Sequence, residues 1–209
     1  MRVGIIGAGA MGRAMARRAA LAGAVVLLAD RGAGHAAGRA HRVAREAVAG
    51  TPGVVEAVTP RAALRPGLVI LALDRADSLE FLRRHRRTLT GKVLVEVTVP
   101  RAEPRGTQMR ELMAAVPGAR WVRACAAGDA ESIYRGLIDG HPVDVFVAAD
   151  DDPAKIRVIE LVDRSGLRAL DAGRLDRAGV LDELTSLGRE ISHRLATPEG
   201  WAIKLLPSW

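Results

Sequence analysis

Cysteine, lysine and aromatic side chains are scarce in this chain of 209 residues, and each scarcity removes a class of protein. The single cysteine, Cys125, excludes a disulfide framework within the monomer and any cysteine-based zinc site. Aromatic residues are 3% of the chain, too few for the stacking platforms of a single-stranded nucleic-acid binder. Only Lys92, Lys155 and Lys204 are lysines, and the arginines behind the net charge of +7 are scattered among alanines and glycines. Their densest cluster, Arg83-Arg84-His85-Arg86-Arg87, reads as the solvated end of a helix, where cations suit the dipole. No nucleic-acid partner is expected from such a distribution. No apolar run approaches the roughly 20 residues of a membrane span, so no membrane partner is expected either. The N-terminus enters strand and glycine turn at once, without a secretory h-region, and a cytoplasmic location is the expectation. Asp150-Asp151-Asp152 before Pro153 reads as the start of a helix, and no spaced ligand set accompanies it, so no metal is expected.

What the chain does have is concentrated in its first thirty residues. Val3-Gly4-Ile5-Ile6 is a short buried strand, and Gly7-Ala8-Gly9-Ala10-Met11-Gly12 follows it directly. A helix-forming run from Arg13 to Ala22 ends at Gly23, and a second apolar strand, Val25 to Leu28, leads to Asp30. Strand, G-x-G-x-x-G, helix, strand, acid is the order of a dinucleotide-binding fingerprint, and Asp30 stands 18 positions after Gly12, near the roughly 20 expected. In that motif Gly7 permits the tight turn, Gly9 lets backbone amides approach a pyrophosphate, and Gly12 lets helix sit close on sheet. Gly7, Ala8, Gly9, Ala10, Met11 and Gly12 are therefore candidate cofactor-binding residues, with Asp30 and Arg31 at the ribose.

Downstream, strands and helices alternate. Ala36 to Ala49 reads as helix, Val54 to Val58 as strand, and Thr59-Pro60 as the cap of a brief helix. Leu68 to Leu73 is a six-residue apolar run that fits a strand buried on both faces. Helix from Ser78, strand from Lys92 to Val97, helix from Thr107 to Val116 and strand from Trp121 to Cys125 follow. This alternation predicts a doubly wound parallel sheet. Ala127 to Gly140 is weakly helical. Asp144 to Ala148 reads as strand, Ala154 to Ser165 as a helix presenting Ile156, Ile159 and Val162, and Leu167 to Leu170 as strand. A long helix from Arg177 to Leu195 carries Val180, Leu181, Leu184, Leu187 and Ile191 on one stripe. With the apolar tail Trp201 to Leu206 it calls for cover, and a homodimer is expected.

Leu73 and Asp74 close the fourth strand, at the carboxyl edge where open α/β sheets place their ligands. Asp74 is a candidate catalytic and cofactor-binding residue, and equally a helix cap with Arg75 beside it. Thr98 and Pro100 follow the fifth strand and would line a nicotinamide pocket. Asp129, Glu131 and Tyr134 fall where a substrate wall is expected, and Tyr134, the only tyrosine, is a candidate proton donor. His193 reads as a partly buried structural residue and Cys125 as a small buried hydrophobe.

With these pieces placed, the chain resembles the deazaflavin-dependent NADP oxidoreductases, the coenzyme F-420 reductase family. Met1 to Asp30 is shared with many reductases. Asp144 to Asp152, Leu170-Asp171-Ala172-Gly173, the long helix and Ile203-Lys204-Leu205-Leu206 are similar to that family in order and spacing. The resemblance implies an α/β protein with a Rossmann-like doubly wound parallel sheet and a small α/β C-terminal extension. Residues 1–125 would form the dinucleotide-binding Rossmann domain and residues 126–209 a small substrate and dimerisation region. It implies an NAD(P)-dependent oxidoreductase that moves a hydride between nicotinamide and deazaflavin, with few side chains acting as acid or base. Two positions depart from the family. Asp30-Arg31 stands where a small hydroxyl residue and an arginine usually grip the 2′-phosphate of NADP, and a carboxylate there favours NAD. Ala126 stands where the family tends to carry a histidine near the deazaflavin. A small imine or carbonyl reductase and a non-catalytic nucleotide-binding protein remain the alternatives.

Overall fold

Why the chain builds one continuous sheet follows from its central strands, which are apolar on both faces. A computed structural model describes residues 1–31, 35–98, 107–196 and 200–206. The elements are β1 (Arg2–Ile6), α1 (Ala10–Leu21), β2 (Val25–Ala29), α2 (His35–Val48), β3 (Val54–Ala57), α3 (Pro60–Ala63), β4 (Leu68–Leu71), α4 (Arg75–Leu89), β5 (Val93–Glu96), α5 (Thr107–Ala115) and β6 (Arg120–Ala126). After these come α6 (Ala130–Arg135), β7 (Leu137–Ile138), β8 (His141–Pro142), β9 (Asp144–Ala149), α7 (Asp152–Arg164), β10 (Arg168–Asp171), a single 3₁₀ turn at Leu175–Arg177, and α8 (Ala178–Leu195). Every residue of β4 and β5 is buried, as a strand covered by helices on both sides requires.

Eight strands form one sheet in the order β10-β9-β6-β5-β4-β1-β2-β3. From β3 to β6 all neighbours are parallel, and the order reverses between β1 and β4, the switch point at which such sheets bind ligands. β9 then pairs antiparallel with β6, and β10 parallel with β9, so residues after 126 lengthen the same sheet. Helices α1, α2 and α7 cover one face through Ala14, Ala19, Val43, Val158 and Leu161; α4 and α5 cover the other through Leu82, Leu89, Met109 and Leu112. Arg18, 8% exposed, ties α1 to its neighbours by donating to the carbonyls of Ser165 (2.9 Å) and Tyr134 (2.6 Å). Burial lowers its pKa from the ordinary arginine value, with Arg17 adding to the effect.

Several sequence expectations change here. The unassigned stretch after Ala127 contains α6 and the small β7–β8 hairpin. α4 begins at Arg75, because Asp74 accepts from the Asp77 amide at 2.9 Å and caps it. α7 buries Ala154, Val158 and Leu161; of the expected stripe, Ile159 and Val162 pack on the same core and Ile156 is exposed. α8 turns its small residues inward. Ala178, Leu181 and Thr185 are buried toward the sheet and Gly188 against Trp201 and Ile203, while Val180 and Leu187 (54% each), Ile191 (44%) and Leu195 (69%) face outward. His193 is exposed rather than partly buried. The reason is packing: Leu181 and Thr185 seat α8 on Cys125 and Ala148 of the sheet. No helix among the described residues is long and apolar enough to cross a membrane.

Candidate functional site

The turn between β1 and α1 is built by backbone proximity. Gly7 adopts φ +110°, and a Cβ on Gly12 would lie 1.8 Å from the Gly7 carbonyl oxygen, so helix and turn touch without a side chain between them. Gly9, the N-cap of α1, is different: a Cβ there would meet nothing within 4 Å. The space above Gly9 is open. The first turn of α1 has no acidic residue and no side-chain cap, so its amides are free to hold an anion. A diphosphate fits this cradle.

Two cavities open on either side of it along the carboxyl edge of the sheet. One, of about 900 Å³, is lined by Asp30, Arg31, Thr59, Asp77, Phe81 and Arg84 among others. The second, of about 700 Å³, is lined by Gly9, Ala10, Met11, Leu73, Asp74, Thr98, Gln108, Asp129, Arg189 and Trp201 among others. Trp201 is brought there by the C-terminal segment, whose Ile203 amide donates to Ala127 (2.6 Å) while Trp201 accepts from the Asp129 amide (3.2 Å). Asp144, fully buried, clamps the same segment: it accepts from Arg168 (2.8 and 2.6 Å), Lys204 (2.6 Å) and the Leu205 amide (2.9 Å). Burial alone would raise its pKa; these bonds outweigh burial and hold it below the ordinary carboxylate value.

At the first cavity Asp30 is 7% exposed. Its Oδ1 accepts from the Arg31 amide at 2.9 Å, and its Oδ2 has no hydrogen-bond donor among the described residues, the nearest cation being Arg39 at 3.4 Å. An acceptor-only buried oxygen of this kind suits a ribose hydroxyl. The Arg31 guanidinium is paired with Asp77, which lines the same cavity.

The second cavity has a buried ionic network behind it that the sequence reading missed. Glu96, the last residue of β5, is 2% exposed and Arg123 on β6 is 1% exposed. Arg123 donates to Glu96 at 2.7 Å and to Asp182 on α8 at 2.8 Å. Glu96 Oε1 also accepts from the Thr98 amide (2.7 Å), the Thr98 hydroxyl and Gln108 (3.1 Å). Burial pushes the Glu96 carboxyl up from its ordinary value, and Arg123 and Thr98 pull it back; the two carboxylates keep Arg123 charged despite its burial. A signal existed in the sequence, namely a charged residue inside each of two otherwise apolar strands.

The other candidates divide. Gly7, Ala8 and Gly12 form the turn, and Gly9, Ala10, Met11, Leu73, Asp74 and Thr98 meet at the second cavity. Pro100 lies outside the described residues. Asp74 is an exposed helix cap at the cavity rim, and Arg75 is held by Glu111 through two bonds of 2.6 and 2.7 Å. Asp129 lines the cavity and caps α6 through the Ser132 amide (2.8 Å). Tyr134 and Glu131 require correction: neither lines the cavity. Glu131 pairs with Arg13 at 2.8 Å, and the Tyr134 ring lies under Arg13 with its hydroxyl 3.5 Å from the Glu46 carbonyl. Helix α6 is only 6 residues long, and its packing on α1 turns both side chains toward Arg13. Cys125 is buried with its sulfur 2.8 Å from Thr185 Oγ1, and burial raises its pKa. Among the described residues no cluster of potential metal ligands occurs.

Comparison with known proteins agrees with this geometry. Residues 2–100 match the profile of the family described as NADP oxidoreductase, coenzyme F420-dependent. The F420-dependent NADP reductase of Methanothermobacter thermautotrophicus is 30% identical over 202 residues, covering 90% of this chain and 87% of the relative. A solved structure from Arthrobacter sp. FB24, provisionally assigned as an F420-dependent NADP reductase, superposes with TM-score 0.80 at 22% identity over 99% of this chain and 100% of that one. A Streptomyces aurantiacus imine reductase shares the fold with TM-score 0.69 at 21% identity, over 95% of this chain and 63% of its own. By sequence likeness over nearly its whole length, the chain belongs to the family of coenzyme F420-dependent NADP oxidoreductases.

Proposed function

We propose that the chain transfers a hydride between a nicotinamide dinucleotide held at the glycine cradle and a deazaflavin of the coenzyme F420 class seated in the cavity beside Thr98. Family membership makes it an NAD(P)-dependent oxidoreductase. The observation that carries the assignment of the site is Gly9, the uncapped start of a 12-residue helix with open space where a side chain would stand. The bound nicotinamide supplies the hydride chemistry. The chain's part is to hold and align: α1 amides take the diphosphate, Leu73 and Met11 keep water from the reacting face, and Thr98 sits at the end of β5 to orient the ring. Asp74 and Asp129 each commit one carboxylate oxygen to a helix cap, which suits a reaction needing no protein acid. Tyr134, the proton donor of the imine or carbonyl reductase reading, is not among the residues that line this cavity.

NADP is the nucleotide of the relatives, and we take it as the family's nucleotide here. NAD is the second reading, favoured by Asp30, whose carboxylate opposes a 2′-phosphate while Arg31 is engaged by Asp77. Residues 126–209 serve as the substrate and dimerisation region: they supply Asp129, Arg189 and Trp201 to the cavity and the exposed stripe of α8 to a second copy. We place the enzyme in the cytoplasm. Mixing the protein with reduced NADP or NAD and oxidised coenzyme F420 tests the function. Loss of the deazaflavin absorbance is expected, and no turnover with either nucleotide overturns it.

A further inference from the structure

We propose that Glu96 is a positioning residue: it accepts the hydrogen bond of the Thr98 hydroxyl and so presents Thr98 Oγ1 to the cavity as an acceptor for the carboxamide N–H of a nicotinamide ring. The inference rests on the nucleotide-binding reading above and deepens it.

The argument is one of counting protons and lone pairs. Arg123 meets Glu96 Oε2 at 2.7 Å and also donates to the Glu96 carbonyl at 3.1 Å, while its other edge is fixed on Asp182 by Nε (3.1 Å) and Nη2 (2.8 Å). On Oε1 the Thr98 amide, the Thr98 hydroxyl and Gln108 Nε2 converge. Arginine and amide donors on both oxygens are the set that an ionised carboxylate accepts and a protonated acid refuses. The Gln108 atom facing that carboxylate must be its nitrogen, since a carbonyl there would oppose a second acceptor. The same nitrogen lies 3.1 Å from Thr98 Oγ1 and donates to it.

A hydroxyl has one proton and two lone pairs. On Thr98 the proton goes to Glu96 and one lone pair takes Gln108, which leaves one lone pair among the described residues. Thr98 and Gln108 both line the second cavity, whereas Asp30 lines the first. β5 and β2 lie on opposite sides of β1 in the sheet, so Thr98 stands on the side of the cradle away from the ribose-binding acid. At that end of a dinucleotide the carboxamide is the group carrying N–H. A hydroxyl free to rotate could also donate; fixed by Glu96, it discriminates.

The test is calorimetric titration of the full chain with NADP+ and with its 3-acetylpyridine analogue, in which a methyl group replaces the carboxamide NH2. NAD+ and its analogue are run beside them. Wild type is expected to prefer the natural nucleotide by roughly three- to tenfold, the worth of one hydrogen bond. Thr98→Val abolishes the preference, Thr98→Ser restores it, and Glu96→Gln weakens it with Thr98 in place. Equal affinity of wild type for both ligands, or a preference that survives in Thr98→Val, overturns the proposal alone. Failure of wild type to bind any natural nucleotide overturns the nucleotide-binding reading and this inference with it. Should Glu96→Gln not fold, the Thr98 pair decides the matter, because Thr98 is only half-buried.

Discussion

The guanidinium of Arg13 lies 4.0 Å from the centroid of the Tyr134 ring. Arg17, one turn along α1, approaches the same ring at 5.0 Å. The tyrosine therefore fastens α6 to α1 by its face, and its hydroxyl makes only a marginal bond to Glu46. Tyr134→Phe keeps the ring, so turnover and nucleotide affinity should stay within a factor of two and unfolding stability within about 0.5 kcal/mol. Tyr134→Ala should cost about 1–3 kcal/mol in urea unfolding. A tenfold loss of kcat in Tyr134→Phe would restore the proton-donor role.

Two glycines of the cradle should behave oppositely. Gly12→Ala drives a methyl into the Gly7 carbonyl and should destabilise the fold by about 1–3 kcal/mol, seen as a lower Tm, besides removing nucleotide binding. Gly9→Ala meets no protein atom, so its Tm should be unchanged while its affinity for the dinucleotide falls. Equal melting losses in the two variants would contradict the open space above Gly9.

Replacing Asp30 reads out the choice of nucleotide. Asp30→Ser removes the buried charge at the ribose position and should raise the ratio of kcat/KM for NADPH over NADH by about tenfold, the effect of roughly 1.4 kcal/mol. An unchanged ratio would mean that the carboxylate does not face the 2′ position.

Acid should release the C-terminal segment. Asp144 has a folded pKa below its unfolded one, so its bonds to Arg168, Lys204 and Leu205 contribute stability in full above roughly pH 4. That contribution is lost as pH falls through the folded value, where the native state must take up the proton it had excluded. Asp144→Asn should flatten this acid limb of the stability curve and cost about 3 kcal/mol at neutral pH, because two cations lose their buried partner. Chemical denaturation across the acid range measures both.

The outward stripe of α8 is the surface proposed above for a second copy. Wild type should sediment as a dimer, and charged substitutions at Leu187 and Ile191, 54% and 44% exposed in one copy, should give a monomer of unchanged helicity. A wild-type monomer would refute the assignment.

Much of the fold is legible residue by residue. Gly7, Gly9 and Gly12 act through their own backbone and the turn they share, and the apolar runs of β4 and β5 state their burial on both faces without reference to any partner. Thr59, Asp74 and Asp151 cap helices three residues from the amides they hold. Such contacts span a few positions of chain, and composition records them.

The sequence by itself thus determined the parallel strands β1 to β6, the glycine turn after β1 and the acid that follows β2. Tertiary structure alone decided which way α6 turns Tyr134, which side of α7 and α8 is buried, and that Arg123 joins Glu96 to Asp182 across separations of 27 and 59 residues. Helix rotation and the pairing of distant charges are settled by packing against the sheet. Thr185 against Cys125 and Gly188 against Trp201 outweigh the more conspicuous apolar stripe, because close approach requires the absence of bulk.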